Sequence, residues 1–192
     1  MNVDIDLMKL KLKGMLGEKR LKHSINTSKI ARKLAIKYNY DVNKAEIAGL
    51  LHDCAKDLDY KTLEKITIEN KIQPDEIIQK IPKLLHPLAG VIIAKREFNI
   101  QDPVILDAIK AHSTGAAQMS LLDKIIYLSD KIEPLRNMKG VEEIRKMVEI
   151  NIDQAMLMAL DQGLIYLISK KLLIHPISIV ARNNFLSKVV FV

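Results

Sequence analysis

An all-α fold is predicted by three features of the chain. Apolar residues recur at three- and four-residue intervals, capping residues punctuate those runs, and aromatic residues are scarce. Aromatics make up 4% with no Trp, so the core falls to Leu, Ile, Met and Ala, a set that favours helices over sheets. The 192 residues suffice for a single helical bundle with a sizeable core, and the polar residues described below place a metal site between its helices.

The elements follow in order. Asp4–Leu16 sets Ile5, Met8, Leu12 and Met15 on one face of a short amphipathic helix, expected to dock on the rest of the chain. Gly14 and Gly17 loosen the backbone before a helix over Glu18–Tyr38, in which His23 shares a stripe with Thr27, Ile30 and Leu34. Asn43-x-x-Glu46 resembles a capping box and starts a helix that ends in His52 and Asp53. Asp59–Asn70 is another helix, a short one follows Gln73-Pro74-Asp75-Glu76 to Lys80, and Pro82 breaks it. Pro87 suits a first helical position, opening a helix to about Phe98 with His86 just before it. Asp102-Pro103 starts Val104–His112, which runs into the hydroxyl-rich loop His112-Ser113-Thr114-Gly115. Ser120 starts a helix in which Leu122, Ile125, Ile126, Ser129 and Asp130 share a face, closed by Lys131, Glu133-Pro134 and Arg136. Val141–Asn151 and Ile152–Lys171 are two further helices. Leu172–Val192 reads as an irregular tail with a terminal strand over Lys188–Val192. The chain divides into a docking helix over 1–17, a core over 18–140, and C-terminal helices and tail of the same domain over 141–192.

Several functions are disfavoured at once. No apolar run approaches the eighteen or so residues that span a membrane, and charges are too dense in Met1–Leu16 for a signal peptide. The single cysteine, Cys54, rules out an internal disulfide framework, so a cytoplasmic location is expected. The net charge of +7, from 30 basic against 23 acidic residues, suggests an anionic partner. Its lysines are dispersed and few aromatics interleave with them, so a small phosphorylated substrate is favoured over specific nucleic-acid binding.

The chemistry concentrates on Ala45–Asp57, where an apolar run ends in His52, Asp53, Lys56 and Asp57. Asp130 sits at the inner end of another apolar stripe, and a buried carboxylate needs a cation or hydrogen bonds. His23, His52, Asp53 and Asp130 supply two nitrogens and at least two oxygens from three helices. Without thiolates, that set suits iron, manganese, cobalt or a catalytic zinc with open positions for water.

In order and on helices, His23, His52-Asp53 and Asp130 resemble the H…HD…D signature of HD-domain metallophosphohydrolases. Five blocks resemble one branch of these, the YqeK family of symmetrical bis(5′-nucleosyl)-tetraphosphatases: Arg20–Ser24, Ala48–Asp57, Leu85–Pro87, Ala111–Gly115 and Leu122–Arg136. The resemblance covers roughly residues 18–184, with Ser113 standing where that family has Thr, so the hydroxyl is kept.

The resemblance implies a single HD-domain helical bundle that cleaves diadenosine tetraphosphate symmetrically into two ADP, a metal-bound water attacking a central phosphoryl group. It implies one or two divalent transition-metal ions, iron first, with manganese, cobalt or zinc as alternatives. Arg20, Lys56 and Arg136 are expected on the polyphosphate, with Asp53 and Asp130 beside it, and Asp57 is expected to orient the water or Lys56. His86 and His112 either complete a second metal site sharing Asp53 or bind phosphate and serve the leaving group. The phosphate role is favoured, because Ser113 and Thr114 supply neighbouring donors. Ile174 and Asn183 are expected to close over a nucleoside. The implied partners are a dinucleoside polyphosphate and a nucleoside diphosphate product, and a homodimer is an allowed assembly. Two other readings remain open: an HD nucleotidase or phosphodiesterase for another nucleotide, and a non-catalytic nucleotide-sensing module.

Overall fold

The computed structural model describes residues 4–190, and among them every regular element is helical. In chain order these are α1 (Ile5–Lys13), α2 (Glu18–Lys37), α3 (Val42–Leu51), α4 (Tyr60–Glu69), α5 (Glu76–Lys80), α6 (Leu85–Phe98), α7 (Pro103–Ala111), α8 (Leu121–Ile132), α9 (Val141–Met147), α10 (Ile152–Ser169) and α11 (Pro176–Val190). A single 3₁₀ turn, Pro82–Leu84, leads into α6.

Local chemistry starts most of them. Asp4, Asp59, Asp75 and Asp102 each accept backbone N–H bonds at the heads of α1, α4, α5 and α7, which satisfies donors with no partner inside the helix. Ser120 and Asp123 form a reciprocal capping box on α8.

Three expectations need correction. The cap of α3 is Asp41, which accepts from the Lys44 amide, so the helix starts ahead of the Asn43-x-x-Glu46 pattern. Pro87 is the third residue of α6, not the first; its missing N–H is one that a first turn leaves unpaired anyway. The tail is a helix from Pro176, and the described part of the expected strand, Lys188–Val190, lies within it. Phe191 and Val192, like residues 1–3 of the docking segment, fall outside the described residues. Ala181 and Phe185, four apart, are both buried on its inner face, and α11 packs on α10. The β-branched Ile179 and Val180 on its outer side disguise that period.

The core runs through α2, α3, α7 and α8, with α10 packed on α8 and α11 on α10. Leu34, Leu50, Leu51, Ile109, Ile125 and Ile126 are all buried there. α2 and α3 cross closely at Gly49, where an added Cβ would stand 2.9 Å from the Ser28 Cα. That approach sets the distance between His23 and His52. α1 docks through the buried Met8 and Leu12.

Candidate metal centre

Five elements deliver six side chains to one point. α2 carries His23; the end of α3 carries His52, with Asp53 one residue on. The first turn of α6 carries His86, His112 follows α7, and α8 carries Asp130 near its last turn. All six are buried, none more than 6% exposed.

Three of the four imidazoles are held by one local device. The Nδ1 of His52 faces the Gly49 carbonyl at 2.8 Å and that of His112 faces the Ile109 carbonyl at 2.7 Å. The Nδ1 of His86 faces the Lys83 carbonyl. In each case the acceptor lies three residues upstream, and a carbonyl can only accept, so the proton sits on Nδ1. His23 reaches the same state by a long-range route, its Nδ1 donating to Glu133 Oε1 at 3.1 Å. In the neutral imidazole that donates from Nδ1 the lone pair is on Nε2, which here points inward, and an outer partner of this kind is what fixes a metal-binding imidazole.

The inward atoms form two groups joined by Asp53. In the first, His23 Nε2 lies 3.2 Å from His52 Nε2 and 3.1 Å from Asp130 Oδ1. Asp53 Oδ2 stands 3.6 Å from His52 Nε2 and 3.8 Å from His23 Nε2. In the second, Asp53 Oδ1 stands 3.2 Å from His86 Nε2 and 3.3 Å from His112 Nε2, and those two nitrogens are 3.1 Å apart. Lone pairs at such separations repel unless a cation lies between them. Asp53 Oδ1 is buried and accepts no hydrogen bond, with the Lys56 ammonium 3.8 Å off, an arrangement that favours a cation beside it. The donor set fits one or two divalent ions. His23, His52 and Asp130, and separately His52, Asp53 and His112, each bring three ligand atoms within 4.8 Å of one another.

Electrostatics point the same way. Burial pushes the His52 imidazole down to about 3 and the His86 imidazole down to about 4, so both are neutral at pH 7 and can ligate. Burial works against the charge of Asp53 and Asp130. At Asp130 the Lys131 ammonium and the Arg136 guanidinium outweigh it and hold the carboxyl well below the usual carboxylate range. Burial pushes the Cys54 thiol up to about 12, and its sulfur turns to the Gly90 carbonyl at 3.6 Å. It stays a protonated packing group.

Cations ring the centre. Arg20 donates to Asp53 Oδ2 at 2.7 Å, and Lys131 to Asp130 Oδ2 at 3.0 Å. Arg136 grips Asp130 through both its side chain and, at 2.8 Å, its carbonyl. Lys56 Nζ lies 3.0 Å from His86 Nε2, and Ser113 Oγ lies 3.0 Å from His112 Nε2. Burial lowers the Lys56 pKa, with Asp53 opposing.

Other expected residues sit apart. Asp57 accepts from the Gly17 amide at 2.9 Å and lies beside Arg20 rather than Lys56. The Thr114 hydroxyl turns to the Gly115 carbonyl, yet the residue lines a cavity of about 450 Å³ with Pro87, Asp123 and His175. Ile174 and Asn183 line neither that cavity nor a second one of about 330 Å³ over Arg20, Lys56 and His86. Asn183 is exposed and accepts from Arg182. His175 bonds Asp75 Oδ2 at 2.7 Å. The sequence reading missed Glu133 and Lys131 as supports of the centre. Their signal is helical register: Lys131 follows Asp130 directly, and Glu133 is three residues beyond it.

Comparison with known proteins gives three findings. A family model described as HD domain matches residues 20–135. The chain is similar to proteins named symmetrical bis(5′-nucleosyl)-tetraphosphatase. It is 34% identical to that of Bacillus subtilis, over 92% of this chain and 94% of the relative, and 32% identical to that of Staphylococcus aureus, over 95% of each. It also superposes on a crystal structure from Clostridium acetobutylicum titled a predicted HD superfamily hydrolase involved in NAD metabolism. There the TM-score is 0.93 and the identity 42%, over 96% of this chain and 98% of that one.

Proposed function

The chain belongs to the HD-domain family and, within it, to the YqeK family, and on that footing we propose that it is a symmetrical bis(5′-nucleosyl)-tetraphosphatase. It cleaves diadenosine tetraphosphate at the central anhydride. Water oxygen bonds to one central phosphorus, the bond from that phosphorus to the bridging oxygen breaks, and two ADP leave with release of two protons near neutral pH. The observation that carries this reading is the pair of inward Nε2 groups on either side of Asp53, with its unpartnered Oδ1.

His23, His52, Asp53 and Asp130 would hold one divalent ion. His86 and His112, with the other Asp53 oxygen, would hold a second; the lone pairs facing each other there favour the ligand role over the phosphate role. When bound, such ions supply Lewis acidity to phosphoryl oxygens and lower the pKa of water at the site. Iron(II) is placed first among them.

The chain's own groups do the rest. Arg20 and Arg136 present planar donors to phosphate, and Lys56 a point charge. Asp57, beside Arg20 and bonded to Gly17, positions that guanidinium. The Ser113 and Thr114 hydroxyls are the neutral donors on the loop after α7. Positioning and charge stabilisation supply most of the acceleration in reactions of this class. Among the described residues no helix is long and apolar enough to cross a membrane, and the cytoplasm is the compartment we assign.

Incubation with diadenosine tetraphosphate and iron(II), manganese or cobalt, followed by chromatography, tests the reading. ADP as sole nucleotide product is expected. AMP with ATP overturns the symmetrical cut, and no turnover favours the sensing module.

A further inference from the structure

Two cavities lie on either side of the first turn of α6, and no residue lines both. The segment from Pro82 to Leu88 divides them: Leu84, Pro87 and Leu88 face the larger, while Pro82, Lys83 and His86 face the smaller. The larger comes up to the loop after α7 at Ala111 and Thr114, the residues on either side of His112-Ser113. The smaller reaches the centre through Arg20, Lys56 and His86, whose side chains lie 2.7, 3.8 and 3.2 Å from the Asp53 carboxylate.

A substrate cut at its midpoint has two equivalent halves. With the central anhydride beside Asp53, one nucleoside diphosphate must extend to each side. The smaller cavity, about 330 Å³, falls in the range of small-ligand sites. Its lining is graded as such a half would need. Arg20 and Lys56 stand at the end nearest the anhydride, Lys83 adds a further cation, and Leu58, Leu63 and Pro82 supply apolar wall. Tyr60, the first residue of α4, is its aromatic side chain and is 43% exposed. Its hydroxyl donates to Glu64 one turn on at 2.8 Å, which holds the ring along the helix and leaves it available for stacking. A base stacks on such a ring whatever its identity.

We propose that the cavity lined by Tyr60, Pro82 and Lys83 is a second nucleoside diphosphate subsite, the half-site opposite the cavity at Thr114. The proposal rests on the hydrolase reading above, which supplies the two-nucleoside substrate.

Two measurements on the metal-loaded protein test it. Equilibrium dialysis against ADP should find two ADP per chain, one of them bound about tenfold more weakly in Tyr60→Ala; one per chain in the unmodified protein overturns the second subsite. Tyr60→Ala should raise KM for diadenosine tetraphosphate about tenfold. KM for adenosine 5′-tetraphosphate, whose single nucleoside is served by the other cavity, should stay within twofold. Equal effects on the two substrates overturn the proposal, as does a Tyr60→Phe variant that behaves like Tyr60→Ala, since the ring and not its hydroxyl is the claimed contact. Absence of any turnover by the unmodified protein would sink the hydrolase reading by itself, and the ADP stoichiometry would still judge the cavity.

Discussion

Glu133 supports His23 from behind: its Oε1 accepts the Nδ1 proton at 3.1 Å, while Oε2 accepts from Asn26 at 3.1 Å and from the Leu135 amide at 2.9 Å. The carboxylate is itself 1% exposed, so both its position and the tautomer of His23 are set by packing. Outer partners of this kind are worth 10- to 100-fold in metal affinity. Glu133→Ala is expected to weaken metal binding by about that factor, with circular dichroism unchanged. Metal titration of the two proteins measures it, and equal affinity would remove Glu133 from the site.

Lys56 touches His86 and lies near Asp53, but its ammonium has no lone pair to offer a metal. Lys56→Met should therefore leave metal stoichiometry intact. Loss of one charged contact to a phosphate costs on the order of 1.5–3 kcal/mol, so turnover should fall roughly ten- to a hundredfold. Steady-state kinetics with diadenosine tetraphosphate decide the point. His52→Ala should differ, removing metal and activity together.

The metal-free protein should lose stability on mild acidification. His52 and His86 are held neutral in the fold, down to about 3 and about 4, against roughly 6.5 in an unfolded chain. Between these values the unfolded chain binds more protons, so stability rises with pH through that window and is complete above it. Each group contributes roughly 1.4 kcal/mol per pH unit while the window lasts. Urea unfolding at pH 7 and pH 5 should show a lower midpoint at pH 5, and coincident midpoints would contradict the buried neutral imidazoles.

Gly49 does two jobs. It allows α2 and α3 to approach, with an added Cβ 2.9 Å from Ser28 Cα and 3.1 Å from Ala31 Cβ, and its carbonyl holds His52 Nδ1. Gly49→Ala must push backbone rather than a flexible tip. Overpacking of that sort costs about 1–3 kcal/mol, and thermal unfolding of the metal-free protein reads it. Metal affinity should fall as well, because the shift moves His52 away from His23.

Much of this was written in short range. Asp59, Asp75, Asp102 and Ser120 cap helices through bonds spanning two or three residues, so the sequence by itself determined where those helices begin. It also determined that His23 and Asp130 lie on inward faces, because the 3.6-residue period fixes which side of a helix a residue takes. Where two local signals competed, as Asp41 and Asn43 did, or where the buried stripe was as thin as Ala181 and Phe185, the sequence alone did not decide. Only the tertiary structure decided that Asp53 stands between two imidazole pairs rather than beside one, and that Glu133 lies behind His23. It alone set Arg20, Lys56 and Lys83 along one cavity and Thr114 on another. Those relations span from about thirty to more than a hundred residues of chain, and no local pattern encodes them. They exist because the packing of α2, α3, α6, α7 and α8 leaves one place where the inward polar groups can meet.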